Sequence, residues 1–172
     1  MNAIKFIQQY GVEKAREVVE GAPRICSYWQ EYGVDNNQCY GYDDFYGDWY
    51  KYWDITNAPM WQKIFTKEEF SFNRVKVKDL KRLVESVDII SKFDSVQEAK
   101  DAISNSPDGA TDYRKLSCTI RYIKQSERFF EYWDGSIWCR PTVPFTEETH
   151  ILRFTELSRL KQAIADYEAI LS

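Results

Sequence analysis

The sequence has a single histidine, His150, in 172 residues, and no CxxC pair. A zinc site needs four ligands, usually with two of them close in the chain, and no such spacing is present. The four cysteines, Cys26, Cys39, Cys118 and Cys139, are therefore read as buried free thiols that behave as small apolar side chains. A Gly-rich phosphate loop, a GxSxG elbow and an HExxH pair are also missing. A Cys–His dyad through His150 would need an accident of folding, so His150 is read as a surface residue before a strand. Positive charge is not in excess. The net charge is −4, which leaves no general footprint for nucleic acid. No apolar run approaches the roughly 18 residues of a membrane span. The opening MNAIKFIQQYGVEKAREVV alternates polar and apolar residues and lacks the apolar core of a signal peptide. These absences lead us to expect a cytoplasmic protein in a reducing compartment, with no enzyme activity, no metal and no cofactor.

The sequence does contain repetition. Tyr52-Trp53-Asp54 returns as Tyr132-Trp133-Asp134, and Phe65-Thr66-Lys67-Glu68-Glu69 as Phe145-Thr146-Glu147-Glu148-Thr149, both 80 residues later. Val77 to Leu83 matches Phe154 to Leu160 at an offset of 77, and Val12 to Glu17 matches Val96 to Asp101 at 84. Four blocks in one order argue for a tandem duplication of about 80 residues. The expected fold is α+β: two helix–antiparallel strands–helix units with pseudo-twofold symmetry, unit 1 over 1–86 and unit 2 over 87–172, in one compact domain.

Periodicity locates the elements. Residues 3–21 read as a helix broken near Gly11 and stopped by Gly21-Ala22-Pro23. From 24 to 77 aromatic and β-favouring residues take over, with 45–53 and 70–77 as the best strands. Leu80, Leu83, Val84, Val87 and Ile90 form one helical stripe ending near Phe93-Asp94. Ser95, with Glu98 three residues on, caps a helix over 96–105, and Asn105 to Gly109 is a loop. The second β region spans 115–154. It includes a hairpin at Asp134-Gly135, an edge or loop at Pro141 and Pro144, and a short strand over 150–154. A final helix over 156–171, capped near Thr155, carries Leu157, Leu160, Ile164, Tyr167 and Leu171.

Residues 28–54 hold eleven aromatics and six acids against one base, Lys51. Nearly all the net acidity of the chain lies there. Such a segment can simply fill a sheet core, with its acids on the wet face. It can instead be a protein-binding face, since Tyr and Trp offer large contact area with few rotors. Base stacking needs a basic groove, which the acids oppose, so direct nucleic-acid binding is not expected. Positions aromatic in both copies, such as Trp53 and Trp133, read as fold positions, and Asp54 and Asp134 as turn residues. At the 80-residue offset Asp43, Asp44 and Asp48 stand opposite Ile123, Lys124 and Arg128. The two patches either pair with one another or leave copy one with a free acidic surface, and we favour the second. The candidate protein-binding residues are Tyr42, Asp43, Asp44, Phe45, Tyr46, Asp48, Trp49 and Tyr50.

The blocks Phe6-Ile7, Gly11 to Ala15, Val18-Val19, Ala22-Pro23, Asp79 to Ser86 and Leu160 to Ile164 resemble small, uncharacterised accessory proteins of temperate phages and prophages of enteric bacteria. The resemblance covers the helices and leaves out the aromatic stretches. It implies a protein made in a bacterial host and acting on host proteins, including defence systems, but assigns no residue a role. The function expected is a non-enzymatic interaction protein whose partner is a host protein with a basic surface, with no membrane partner. Two alternatives remain open: a DNA mimic, and a small-molecule or nucleotide binder, or a minor enzyme, with an aromatic cage for cations.

Overall fold

The structure, a computed structural model, describes residues 1–32, 36–43, 45–53, 60–64, 74–117, 119–126, 129–140 and 154–172. For Glu31, Tyr32, Asn36, Asn37, Gln38, Asp43 and Trp53 it describes the backbone alone. The chain divides into two compact units, residues 1–85 with 169–172, and residues 86–168. The expected elements at 54–59, 65–73 and 141–153, with His150 and the Phe65 and Phe145 blocks, lie outside the described residues.

Unit 1 opens with helix α1 (Ala3–Gly21), whose Asn2 side chain accepts the Lys5 N–H. Gly11 breaks α1 at φ 84° and ψ 165°, a conformation open only to a residue without Cβ. Four strands then form an antiparallel meander: β1 (Cys26–Tyr32), β2 (Asn36–Asp43), β3 (Asp48–Trp53) and β4 (Met60–Ile64). A two-residue strand, β5 (Val75–Lys76), returns to pair with β1, giving the order β4-β3-β2-β1-β5. Helix α2 (Val77–Ile90) follows directly. Trp29, Cys39 and Val75 of the sheet pack with Phe6, Ile7, Ala15 and Val18 of α1 and with Leu80, Leu83 and Val84 of α2. The Phe6 and Trp29 rings meet edge to face at 5.2 Å. Burying each large apolar side chain contributes about 1.5–3 kcal/mol.

In unit 2, helix α3 (Val96–Ser104) is capped as its sequence predicts: Ser95 Oγ accepts the Glu98 N–H, and Glu98 Oε2 accepts the Asp94 N–H. Strands β6 (Asp112–Lys115), β7 (Ile120–Gln125), β8 (Phe130–Trp133) and β9 (Trp138–Cys139) form a meander, and β10 (Thr155–Glu156) returns to β6. The order is β10-β6-β7-β8-β9, and helix α4 (Leu157–Leu171) follows β10. Tyr113 and Tyr122 pack with Phe93, Ala99, Ala102, Leu157, Leu160, Ala163 and Ile164. The core also holds a polar cluster. Ser86 Oγ, fully buried, donates to Asp166 Oδ2 at 2.8 Å and accepts from Arg159 at 3.0 Å, while Gln162 donates to the other Asp166 oxygen.

The fold is α+β, with two five-stranded antiparallel sheets, each flanked by helices. Both sheets share one topology: a four-stranded meander, then a fifth strand beside the first that runs straight into a helix.

Strand and helix register corrects the repeat alignment. Strands β5 and β10, and the helices after them, begin 80 residues apart, not 77. The three-residue error is close to one helical turn, so the apolar pattern matches at either offset. In β3 the core-facing residue is Tyr52, opposite Trp61; in β8 it is Trp133, opposite Trp138. Tyr52 is thus the counterpart of Trp133, one residue out of step with the Tyr-Trp-Asp match, and a one-residue slip exchanges sheet faces.

Element boundaries also differ from expectation, and the second β region begins at Asp112 rather than at 115. Phe45 to Gly47 form a turn rather than the start of a strand, because Gly47 adopts φ 69°. The strand expected to reach Val77 ends at Lys76, and Asp79 sits in the first helical turn, where a carboxylate suits the helix dipole. Thr155 is a strand residue paired with Tyr113 rather than a cap, and Phe154 precedes the strand. Asp134 and Gly135 do form the expected hairpin turn: Asp134 accepts the Ser136 and Ile137 N–H groups and Gly135 has φ 111°.

Candidate protein-binding hairpin

The β2–β3 hairpin carries most of the candidate residues. Its strands pair from Cys39↔Tyr52 to Asp43↔Asp48, so four residues, 44–47, make the connection. The last of these, Gly47, takes the left-handed conformation that lets the chain re-enter β3. Two aromatic side chains stand at the tip. Phe45 is 86% exposed and Tyr46 70% exposed, and their rings meet edge to face at 4.8 Å. Burial in unit 1 does not account for side chains so open to water.

Alternation along the strands sorts the remaining residues. Tyr42 and Trp49 are directly paired, and their rings lie 4.9 Å apart on the face away from the α1 core. Tyr28 joins them at 5.3 Å from Trp49. The Arg74 guanidinium lies over the Tyr28, Tyr40 and Trp49 rings at 5.7–5.9 Å. Burial lowers the Arg74 pKa from its ordinary value, and the two tyrosines oppose that shift. Sequence reasoning missed Arg74, since nothing in its local pattern places it against residues more than twenty positions away.

Asp48 and Tyr50 belong to the opposite face. Asp48 Oδ2 accepts from Lys63 Nζ at 2.6 Å, and that hydrogen bond raises the lysine pKa. Tyr50 is half-buried beside Lys63 in the β3–β4 ladder. Asp43 closes the β2–β3 ladder through its backbone, and Asp44, like Asp35 upstream, lies outside the described residues. The hairpin therefore brings together Tyr42, Phe45, Tyr46 and Trp49, while Asp48 and Tyr50 turn the other way.

Unit 2 provides a counterpart. Its β7–β8 hairpin narrows through Gln125↔Phe130 to Ser126, whose N–H donates to Phe129 O at 2.9 Å. Only Glu127 and Arg128 separate those two residues in the chain. By ladder register the counterparts of Asp43 and Asp48 are Ser126 and Phe129, not the Ile123 and Arg128 of the sequence alignment. The unit 1 connection is two residues longer, and Phe45 and Tyr46 fall within this extra length. The expected exchange of carboxylates for cations dissolves with the register. Asp48 pairs with Lys63 and Lys124 with Glu131, each within its own sheet. At the unit 2 turn, Phe129 lies under the Arg140 guanidinium at 4.4 Å.

Among the described residues no group of three or more His, Cys, Asp or Glu side chains is placed to hold a metal ion, and no helix is long and apolar enough to cross a membrane. No protein-family model, curated protein or solved structure matches the chain.

Proposed function

We propose that this chain is a non-enzymatic interaction protein of a temperate phage, which binds a host protein and inhibits or modulates it through the β2–β3 hairpin of unit 1. The observation that carries this reading is the exposed Phe45–Tyr46 pair at the tip. Aromatic side chains supply large contact area with few rotors, the property that makes Tyr and Trp interface anchors. Asp43 and Asp44 directly precede the pair in sequence, which favours a partner with a basic surface and a salt-sensitive association rate. The phage and host context rests on the helical sequence blocks alone. The shared sheet topology supports a further part of the reading, that the units arose by tandem duplication.

The alternatives have less support. A cage for a cationic metabolite needs free aromatic faces, and the Tyr28–Tyr40–Trp49 cluster already has the chain's own Arg74 over it. A DNA mimic needs carboxylates spaced like phosphates along a surface, and Asp48 is taken by Lys63.

The test is affinity capture of the tagged protein from a lysate of an enteric bacterium, beside a D43N/D44N variant that leaves the Asp48–Lys63 pair intact. A host protein held by the wild type and released from the variant at lower salt is the expected result. Equal recovery at every salt concentration removes the acidic contribution. If no protein is held specifically, the interaction reading fails.

A further inference from the structure

We infer that Arg114 and Arg121 of unit 2 bind the phosphate of a nucleoside monophosphate whose base lies against Tyr132. The site does not depend on the unit 1 hairpin. The two arginines stand directly opposite each other on β6 and β7. Their neighbours Tyr113 and Tyr122, also a direct pair, belong to the helix-covered core, so alternation places both guanidinium groups on the other face. Side chains opposite each other on antiparallel strands start about 4.5–5.5 Å apart at Cβ, and like charges there destabilise a sheet. Arg121 is exposed and Arg114 half-buried. Among the described residues neither makes an ion pair or a hydrogen bond. The nearby acids are engaged elsewhere. Glu131 belongs to the opposite face and pairs with Lys124 and Arg140. Asp134 accepts the Ser136 and Ile137 N–H groups. In the next row of the same face, Asp112 accepts from the Thr111 hydroxyl at 2.5 Å and Glu156 from the Ser158 hydroxyl. Two guanidinium groups so placed offer the planar forks of N–H donors that hold phosphate oxygens bidentately.

Tyr132 supplies the other half of the site. It pairs with Ile123, two residues along β7 from Arg121. It therefore shares the face of the arginines and is the diagonal neighbour of Arg121, about 7–8 Å away. Tyr132 is 41% exposed, whereas Ile123 beside it is buried. A phosphate held by the arginines leaves its nucleoside over Ile123 with the base within reach of the tyrosine ring, and such a ring stacks on any base. A strand of nucleic acid needs a basic groove that tracks many phosphates. Two arginines in a chain of net charge −4 suit one phosphate instead.

The test titrates adenosine monophosphate, adenosine and inorganic phosphate into the full chain at low salt, and follows arginine Nε–H and tyrosine ring signals by NMR. The nucleotide should shift Arg114, Arg121 and Tyr132 together and saturate. Phosphate should shift the arginines alone and bind more weakly, and adenosine should shift none of the three at the same concentration. Arg121→Gln should weaken nucleotide binding about tenfold or more. Because it removes a like-charge pair, it should unfold at no lower urea concentration than wild type. Tyr132→Ser should weaken the nucleotide and leave phosphate unchanged. Nucleotide binding that survives Arg121→Gln, or fails to saturate by about 10 mM, well beyond a millimolar Kd, overturns the site. Lost binding with a lower urea midpoint marks the arginine as structural and overturns it too. Phosphate binding as tight as the nucleotide's removes the base and Tyr132 from the site.

Discussion

The β2–β3 hairpin of unit 1 and the β7–β8 hairpin of unit 2 hold the same place in sheets of the same topology, yet they end differently. In unit 2 two residues separate the last pair and the neighbouring aromatic, Phe129, lies under Arg140 and is 47% exposed. In unit 1 four residues make the turn and two aromatic rings project into water. The sheets differ in the same sense. Unit 1 has strands of five to eight residues in its meander, with an aromatic layer on the face away from the helices, whereas the unit 2 meander has strands of two to six. The two sheets share one topology and differ in the length of this hairpin, so the surface that differs is where a function specific to this chain is sought.

If the units are equivalent scaffolds, matched core changes should cost alike. Leu80 and Leu160 are both fully buried at matched helical positions. Leu80→Ala and Leu160→Ala should each destabilise by about 2–5 kcal/mol, read from urea unfolding. A large loss from one and none from the other would break the equivalence. The polar cluster gives a smaller effect. Ser86→Ala leaves Asp166 without its 2.8 Å donor in the interior, at a cost of about 1–3 kcal/mol in the same measurement.

At the hairpin the expected stability effects shrink. Gly47→Ala has room, since the new Cβ would lie 3.8 Å from the Tyr42 hydroxyl, but it meets φ 69°, which costs roughly 1–2 kcal/mol for a residue with Cβ. The F45S/Y46S variant should unfold within about 0.5 kcal/mol of wild type, because neither ring is buried.

Titration tests unit 2 by itself. Burial pushes the Tyr113 hydroxyl up to about 12 from 10.0, against a hydrogen bond with Thr155 and the charge of Arg159. A raised folded-state value means that this contribution is fully present below pH 10.0 and is lost as pH rises towards about 12. Tyr113→Phe should flatten the loss of stability with pH in that window, measured by circular dichroism in urea. Glu98 has the opposite sign. Its bonds to Lys115 and to the Asp94 N–H hold its carboxyl below the ordinary 4.5, so its contribution is present above pH 4.5 and fades as pH falls through the folded value. Glu98→Gln should match wild type in acid and trail it at neutral pH, by the least of these effects.

Much of the helical half was legible in the sequence. The apolar stripes of α2 and α4, apart from Leu171, which is exposed at the end of α4, the Gly11 break and the Ser95 cap rest on local chemistry, which is complete within a few residues. The Asp134-Gly135 turn was legible for the same reason. The sheets were less so. Strands β1, β2 and β4 carry polar residues on both faces, so no clean period of two marks them. Arg74 over the aromatics depends on pairings between distant strands, for which no local pattern exists. The repeat was visible as blocks, but its register was not. Helical periodicity hid a three-residue error, and the longer hairpin of unit 1 moved the offset between β2 and β3. Composition marked residues 42–50 as candidates but left open whether they are buried or exposed; the ladder and the burial of each side chain supply that.

The central claim is that function resides in the feature unit 1 has and unit 2 lacks. It is tested most directly by quantitative capture from the same enteric lysate with three folded proteins: wild type, F45S/Y46S and F129S. The account predicts one host protein recovered equally by wild type and F129S and lost from F45S/Y46S. Equal recovery by F45S/Y46S, or loss from F129S instead, would contradict it.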